Sequence, residues 1–179
     1  DQGATGQYPQ VVLDAMMNFA TSGNAPVHRG LYHLAYTATN AFEAVRQQVA
    51  EFIGARSAAE VIFTSGTTAA INLLAQSFGP LVVSADSEVL LSVAEHHSNF
   101  LPWQRLCEQT GARLVIAPVD RQGDIDEQWV LDHINQHTRI VALAQETNVA
   151  GARLRHARAI ADKAHANGAY LLLDGAQAL

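Results

Sequence analysis

The stretch "VAEHHSNFLPWQ", residues 93–104, sets Glu95 beside two adjacent imidazoles, His96 and His97, at the end of an apolar run. Three chemistries fit such a group: metal ligation, proton transfer, or a plain turn. In extended chain, neighbouring side chains point to opposite faces, so only one of the two histidines can address a given site. His133 and His137, spaced i and i+4 in "DHINQH", have the separation to clamp a metal, but no cysteine or carboxylate cluster completes a ligand set, and no metal site is expected. A single imidazole at a strand end can instead lie flat against a planar ring and shuttle protons near neutral pH.

Three further stretches have the same placement. After "VIFT" comes "SGTTAAINLLAQ", where Gly66 permits a tight turn. Thr67 and Thr68 there offer hydroxyls and free N–H groups at a helix start, which favours an anion such as phosphate. The plainer alternative makes Thr67 an N-cap. After "AYLLLD", Asp174 ends a wholly apolar run, and a carboxylate there needs a cation or several donors to stay ionised. A protonated heterocyclic nitrogen would serve, and a helix cap is the alternative. After "RIVALAQ", Asn148 falls in "ETNVAG", which also reads as ordinary turn chemistry.

These residues need elements to position them. Five apolar runs, at 60–64, 88–94, 112–119, 139–145 and 169–174, are nearly continuous in Val, Ile, Leu and Ala, the pattern of strands covered on both faces. Helical spacing marks 8–21, 31–53, 67–78, 99–110, 127–137 and 154–167. In the second of these, Leu34, Phe42, Val45, Val49 and Ile53 share one side. Strand and helix in turn predict an α/β fold, a mostly parallel sheet flanked by helices, with ligands beyond the carboxyl ends of the strands. No repeat or Gly/Ser linker suggests a second domain.

Composition narrows the function classes. The 179 residues are 49% hydrophobic with a net charge of −6, and arginines are scattered singly, so no basic stripe is available for nucleic acid. No apolar run has membrane-spanning length, and one cysteine excludes an internal disulfide, so a soluble, cytoplasmic protein is expected. The only lysine, Lys163, falls on the solvent side of its helix, opposite the stripe of Ala157, Ile160, Ala161 and Ala164. The only cysteine, Cys107, is spaced with Phe100 and Trp103 and reads as a small buried apolar residue.

Taken together, the segments "GNAPVHRG" (23–30), "VIFTSGTTAAINLLA" (61–75), "EVLLSVAEHHSNFLPWQRLCEQTGA" (88–112), "TNVAG" (147–151) and "AHANGAYLLLDGAQA" (164–178) resemble, in order and over almost the whole chain, the SUF-type (group II) cysteine desulfurases. These are pyridoxal 5'-phosphate enzymes of the class V aminotransferase superfamily with fold type I. The resemblance implies that His96 stacks on the pyridine ring and assists proton transfer, and that Asp174 pairs with the pyridinium nitrogen. It further implies that Asn148 and Gln177 address the phenolic oxygen and its surroundings, and that Thr67 and Thr68 hold the phosphate. On the substrate side it implies His28 and, in "GAT" (3–5), Ala4.

There are departures from the family pattern. Ala69 stands where a Glu is usual, Ser65 where an Arg or similar residue is usual, and Gln2-Gly3 replaces the usual early residues. The family's Schiff-base lysine, in a Ser-Gly-His-Lys segment, and its nucleophilic cysteine have no counterpart here. The expectation is therefore that residues 1–179 form an incomplete pyridoxal-phosphate-binding large domain. In the complete enzyme, expected to be a homodimer, L-cysteine would give L-alanine and an enzyme persulfide that passes sulfur to an acceptor protein for iron–sulfur cluster assembly. Another class V enzyme, such as an aminotransferase, epimerase or kynureninase-like lyase, and a noncatalytic truncated paralogue remain open alternatives.

Overall fold

The computed structural model describes residues 5–178. The chain divides into two compact units, Asp1–Phe63 and Thr64–Leu179, with no change of composition at the division. In the first unit, helix α1 (Gln10–Asn18) runs into one π-helical turn, Phe19–Gly23, and helix α2 spans His33–Ile53. Among the described residues, the buried cluster here is formed by small side chains, Ala25, Ala35 and Ala38. Of the larger apolar residues of α2 that share one side, Leu34, Val45 and Ile53 are exposed and Phe42 and Val49 are half-buried.

The second unit contains helices α3 (Thr67–Ser77), α4 (Gly79–Val82), α5 (His97–Thr110), α6 (Glu127–His133) and α7 (Ala157–Ala166). Between them run strands β1 (Glu88–Ser92), β2 (Arg113–Ala117), β3 (Thr138–Ala144) and β4 (Tyr170–Asp174). All pairings are parallel, in the order β2-β1-β3-β4. The expected parallel α/β sheet is present, with four of the five runs in it.

The fifth run, 60–64, is a correction: it contributes no strand. Ala58–Glu60 forms a 3-10 turn, Val61 is buried, and Ile62 is exposed. The Phe63 ring stands edge-on to Phe42 of α2 with centroids 5.4 Å apart. Apolar side chains in extended chain can be accommodated by such packing without a neighbouring strand, a distinction that hydropathy alone does not carry.

Alternation along the strands separates two cores. Leu90, Val115, Val141 and Leu143 pack with Val130 of α6 and Ile160 and Ala164 of α7. Val89, Leu91, Ile140 and Ala142 pack with Ile71 and Ala75 of α3 and with Trp103, Leu106 and Cys107 of α5. Helices therefore cover both faces, which is why the central strands read as continuous apolar runs. The edge strands are less covered, and Ile116 of β2 and Tyr170 and Leu173 of β4 are exposed.

At the amino end of β1, Glu88 is a buried carboxylate paired with Arg113, its register partner on β2, and it accepts from Asn135 Nδ2 at 3.0 Å. Burial raises its pKa, but the hydrogen bonds from Arg113 and Asn135 and the charges of Arg113 and His137 outweigh this and hold it below the ordinary carboxylate value.

Candidate functional site

Parallel strands bring their carboxyl ends to one edge, and the strand order creates a reversal there. The chain leaves β1 outward to β2 and returns to β3 on the other side of β1, so the crevice between the ends of β1 and β3 is the switch point where α/β sheets bind ligands. A cavity of about 510 Å³ opens at this edge. Thr67, Thr68, His96, Asn148, Asp174 and Gln177 all line it. Six of the eight residues that the resemblance places at the site are thus brought together in the second unit.

Each arrives for a local reason. Thr67 and Thr68 open α3 behind Gly66, whose φ of +145° is accessible in practice only to glycine. Gly66 is the N-cap residue, and no side chain caps the helix, so Thr67 does not act as the cap and the first-turn N–H groups remain available. A short helix start with two hydroxyls and free N–H donors suits an anion. Asp174 is the last residue of β4, aligned with Ala144 of β3. It is 7% exposed, and its Oδ1 accepts from the Ala176 N–H at 3.0 Å. That contact belongs to a turn and does not cap a helix. The rest of the carboxylate is available to a cation in the cavity, and Asn148 and Gln177 supply exposed amides to the same cavity.

Glu95, His96 and His97 have different surroundings. All three border a second cavity of about 570 Å³ with Val93, Val119 and Val149, but of the three His96 alone, the residue that begins α5, also lines the first. Glu95 turns inward. Its Oε2 accepts from Asn99 Nδ2 at 2.7 Å, and Asn99 Oδ1 accepts from Trp103 Nε1 at 3.0 Å. Its Oε1 accepts from the Ala144 N–H at 3.0 Å, which ties the loop after β1 to the end of β3. Burial is the largest influence on this carboxyl and raises its pKa, the Asn99 and Ala144 hydrogen bonds oppose it, and the charge of Asp174 raises it again, for a net value of about 7.

Sequence reasoning weighed Glu95 only as a ligand or proton carrier and missed this chain of contacts. Part of the signal was present: Asn99 and Trp103 lie at i and i+4 on one face of a helix, and Glu95 stands four residues before Asn99. It also passed over Ser98, Asn72 and Glu146, which line the main cavity.

Other candidates lie elsewhere. Ala4 falls outside the described residues. His28 belongs to the first unit, where its φ of +61° is held by its own N–H donating to Thr39 Oγ1 at 3.0 Å, and its Nε2 lies 3.0 Å from Glu43 Oε1. Lys163 is exposed on α7. Cys107 is buried, and burial together with the Glu108 charge pushes its thiol up to about 11, so it is a poor thiolate. His133 stacks on Trp129 at 3.5 Å, and His137 Nδ1 lies 3.2 Å from the Asp86 carbonyl oxygen. Among the described residues no helix is long and apolar enough to cross a membrane.

The family described as Aminotransferase class-V matches residues 1–179. The chain belongs to the class V aminotransferase family. Among curated members, a probable cysteine desulfurase of Vibrio cholerae is 43% identical over 179 residues, which is all of this chain and 44% of that protein. Two solved structures share the fold. The apo cysteine desulfurase of Thermococcus onnurineus superposes with a TM-score of 0.89 at 32% identity, over 97% of this chain and 42% of that one. The Escherichia coli cysteine desulfurase CsdA gives a TM-score of 0.86 at 36% identity, over 99% and 44%. The class V chain described here therefore spans less than half the length of the relatives it matches.

Proposed function

We propose that this chain is part of a SUF-type cysteine desulfurase and supplies most of the platform on which pyridoxal phosphate lies. The observation that carries the reading is that a buried carboxylate, Asp174, and an uncapped helix start bearing Thr67 and Thr68 line one cavity together with His96. The residues fit a ligand with a basic ring nitrogen at one end and a phosphate at the other. Thr67, Thr68 and the first N–H groups of α3 would hold the phosphate, and Asp174 would keep the ring nitrogen protonated. His96 would cover one face of the ring, and Asn148 and Gln177 would donate to its phenolic oxygen. When bound, the cofactor supplies an electron sink for the substrate carbon.

In the complete protein the reaction is the conversion of L-cysteine to L-alanine, with the sulfur passing to a cysteine thiol as a persulfide and on to an acceptor protein for iron–sulfur cluster assembly. The complete protein works in the cytoplasm as a homodimer. Lys163, exposed on α7, and Cys107, with its raised thiol pKa, serve neither as the cofactor amine nor as the sulfur nucleophile. His28 and Ala4 stand on the substrate side, as the resemblance implies.

The test uses the complete protein. Cofactor affinity is measured by absorbance titration, and alanine release from cysteine is measured alongside. Asp174→Ala removes one partner of a buried charge pair, a loss of about 3–5 kcal/mol. His97→Ala, at the neighbouring cavity, leaves affinity near the parent value. Equal affinities in the two variants would end the reading of Asp174, and the absence of alanine would end that of the reaction.

A further inference from the structure

His96 begins α5 in an extended conformation, φ −61° and ψ 146°, and its side chain caps the helix: ring Nδ1 accepts from the Ser98 N–H at 3.2 Å. An amide N–H can only donate, so Nδ1 carries a lone pair in this arrangement and no proton. The Ser98 hydroxyl stands 2.6 Å from the same nitrogen, and with the lone pair turned toward it the hydroxyl is also a donor. One residue thus addresses a single ring nitrogen twice. A neutral imidazole has one ring proton, and that proton is left to Nε2. Rotating the ring by half a turn would place a C–H against the amide and leave a first-turn donor of α5 without its cap.

We propose that Ser98 is a positioning residue that holds His96 as its Nε2–H tautomer, so that His96 presents the occupant of the cavity with a hydrogen-bond donor and not with a base. Ser98 lines the same cavity. The consequence for catalysis rests on the cofactor reading above, but the tautomer does not, since it follows from contacts within the chain. The plane of the ring is fixed by the cap, which is what a residue lying against a flat ligand requires. Proton transfer through His96 would first have to release Nδ1 from Ser98.

The experiment is long-range proton–nitrogen correlation on the complete protein carrying nitrogen-15 histidine, at a pH where the ring is neutral. His96 resonances are assigned by their loss in His96→Gln. The expected pattern is an unprotonated Nδ1 and a protonated Nε2, and the opposite pattern in the parent protein overturns the proposal. Ser98→Ala, which keeps the amide donor and loses the hydroxyl, should move the two nitrogens part of the way toward the averaged shifts of exchanging tautomers, and Ser98→Thr, which keeps a hydroxyl at the same place, should restore the parent pattern. An alanine variant with unchanged shifts overturns the role of the serine side chain. If the alanine variant does not fold, the parent spectrum and the threonine variant decide. The spectra are recorded before cofactor is added, so failure to bind pyridoxal phosphate would leave this result standing, and the reverse also holds.

Discussion

Glu95 and Ala144 join the two central strands at the crevice where the strand order reverses: a carboxylate oxygen three residues past β1 accepts the N–H of the last residue of β3 at 3.0 Å. The cavity wall between His96 and Asp174 is therefore held by a titratable group with a pKa near 7.

Glu95 makes stability fall as pH rises through the weakly acidic range. In the unfolded chain its carboxyl ionises near the ordinary 4.5, whereas in the folded chain it keeps its proton to about 7. Its contribution is thus fully present below about 4.5, is lost between about 4.5 and about 7, and is level above. Urea unfolding of the parent and Glu95→Gln across this window should show the difference between them falling by on the order of 3 kcal/mol as pH rises. A pH-independent difference would show that Glu95 is not buried as its contacts require.

Asn99 couples Glu95 to Trp103. Trp103→Phe removes the donor to Asn99 Oδ1 and leaves a buried acceptor unpaired, at a cost of about 1–3 kcal/mol. Asn99→Leu strands both Glu95 Oε2 and Trp103 Nε1 and should cost more. The double variant should be less destabilised than the sum of the two, by about 0.5–3 kcal/mol. Additive denaturation midpoints would mean that the three side chains do not act as one network.

Cys107 should resist thiol reagents. With the thiol pushed up to about 11 and the side chain buried against α3 and the sheet, thiolate is scarce near neutral pH and access is closed. Labelling in native buffer should be much slower than in denaturant, and comparable rates would place Cys107 at the surface.

Gly111 closes α5 with a φ of +77°. An added Cβ would have room, with Ala85 Cβ at 3.5 Å, so the penalty of Gly111→Ala lies in the backbone alone. A loss of about 1–2 kcal/mol in thermal or chemical unfolding is expected. An unchanged midpoint would show that α5 ends differently.

The sequence exposed the sheet where burial is two-sided. β1 and β3, covered by α3 and α5 on one face and α6 and α7 on the other, are unbroken apolar runs, and the residues just after β3 and β4 were recognisable as site candidates from that placement. Residues 60–64 were misread because Val61 and Phe63 owe their apolar character to packing unrelated to strand pairing. The length of α6 was overestimated: the helix ends at His133, and Asn135 beyond it turns to Glu88. The roles of Glu95 and Ser98 were hidden because a polar residue in a sequence does not reveal whether its partner is a ligand, a solvent molecule or an amide 49 residues away.

Strand β1 is anchored at its two ends by carboxylates that respond to protons in opposite senses. Glu88 is held below its ordinary pKa, so its contribution is present above about 4.5 and lost as the solution becomes more acid, and that of Glu95 is lost in the other direction. Acid thus loosens the amino end of the central strand, and a rise toward neutrality loosens its carboxyl end. In amide hydrogen exchange, corrected for the intrinsic pH dependence of the rate, protection along one strand should tilt: fraying would start from Glu88 at low pH and from the loop bearing His96 at neutral pH.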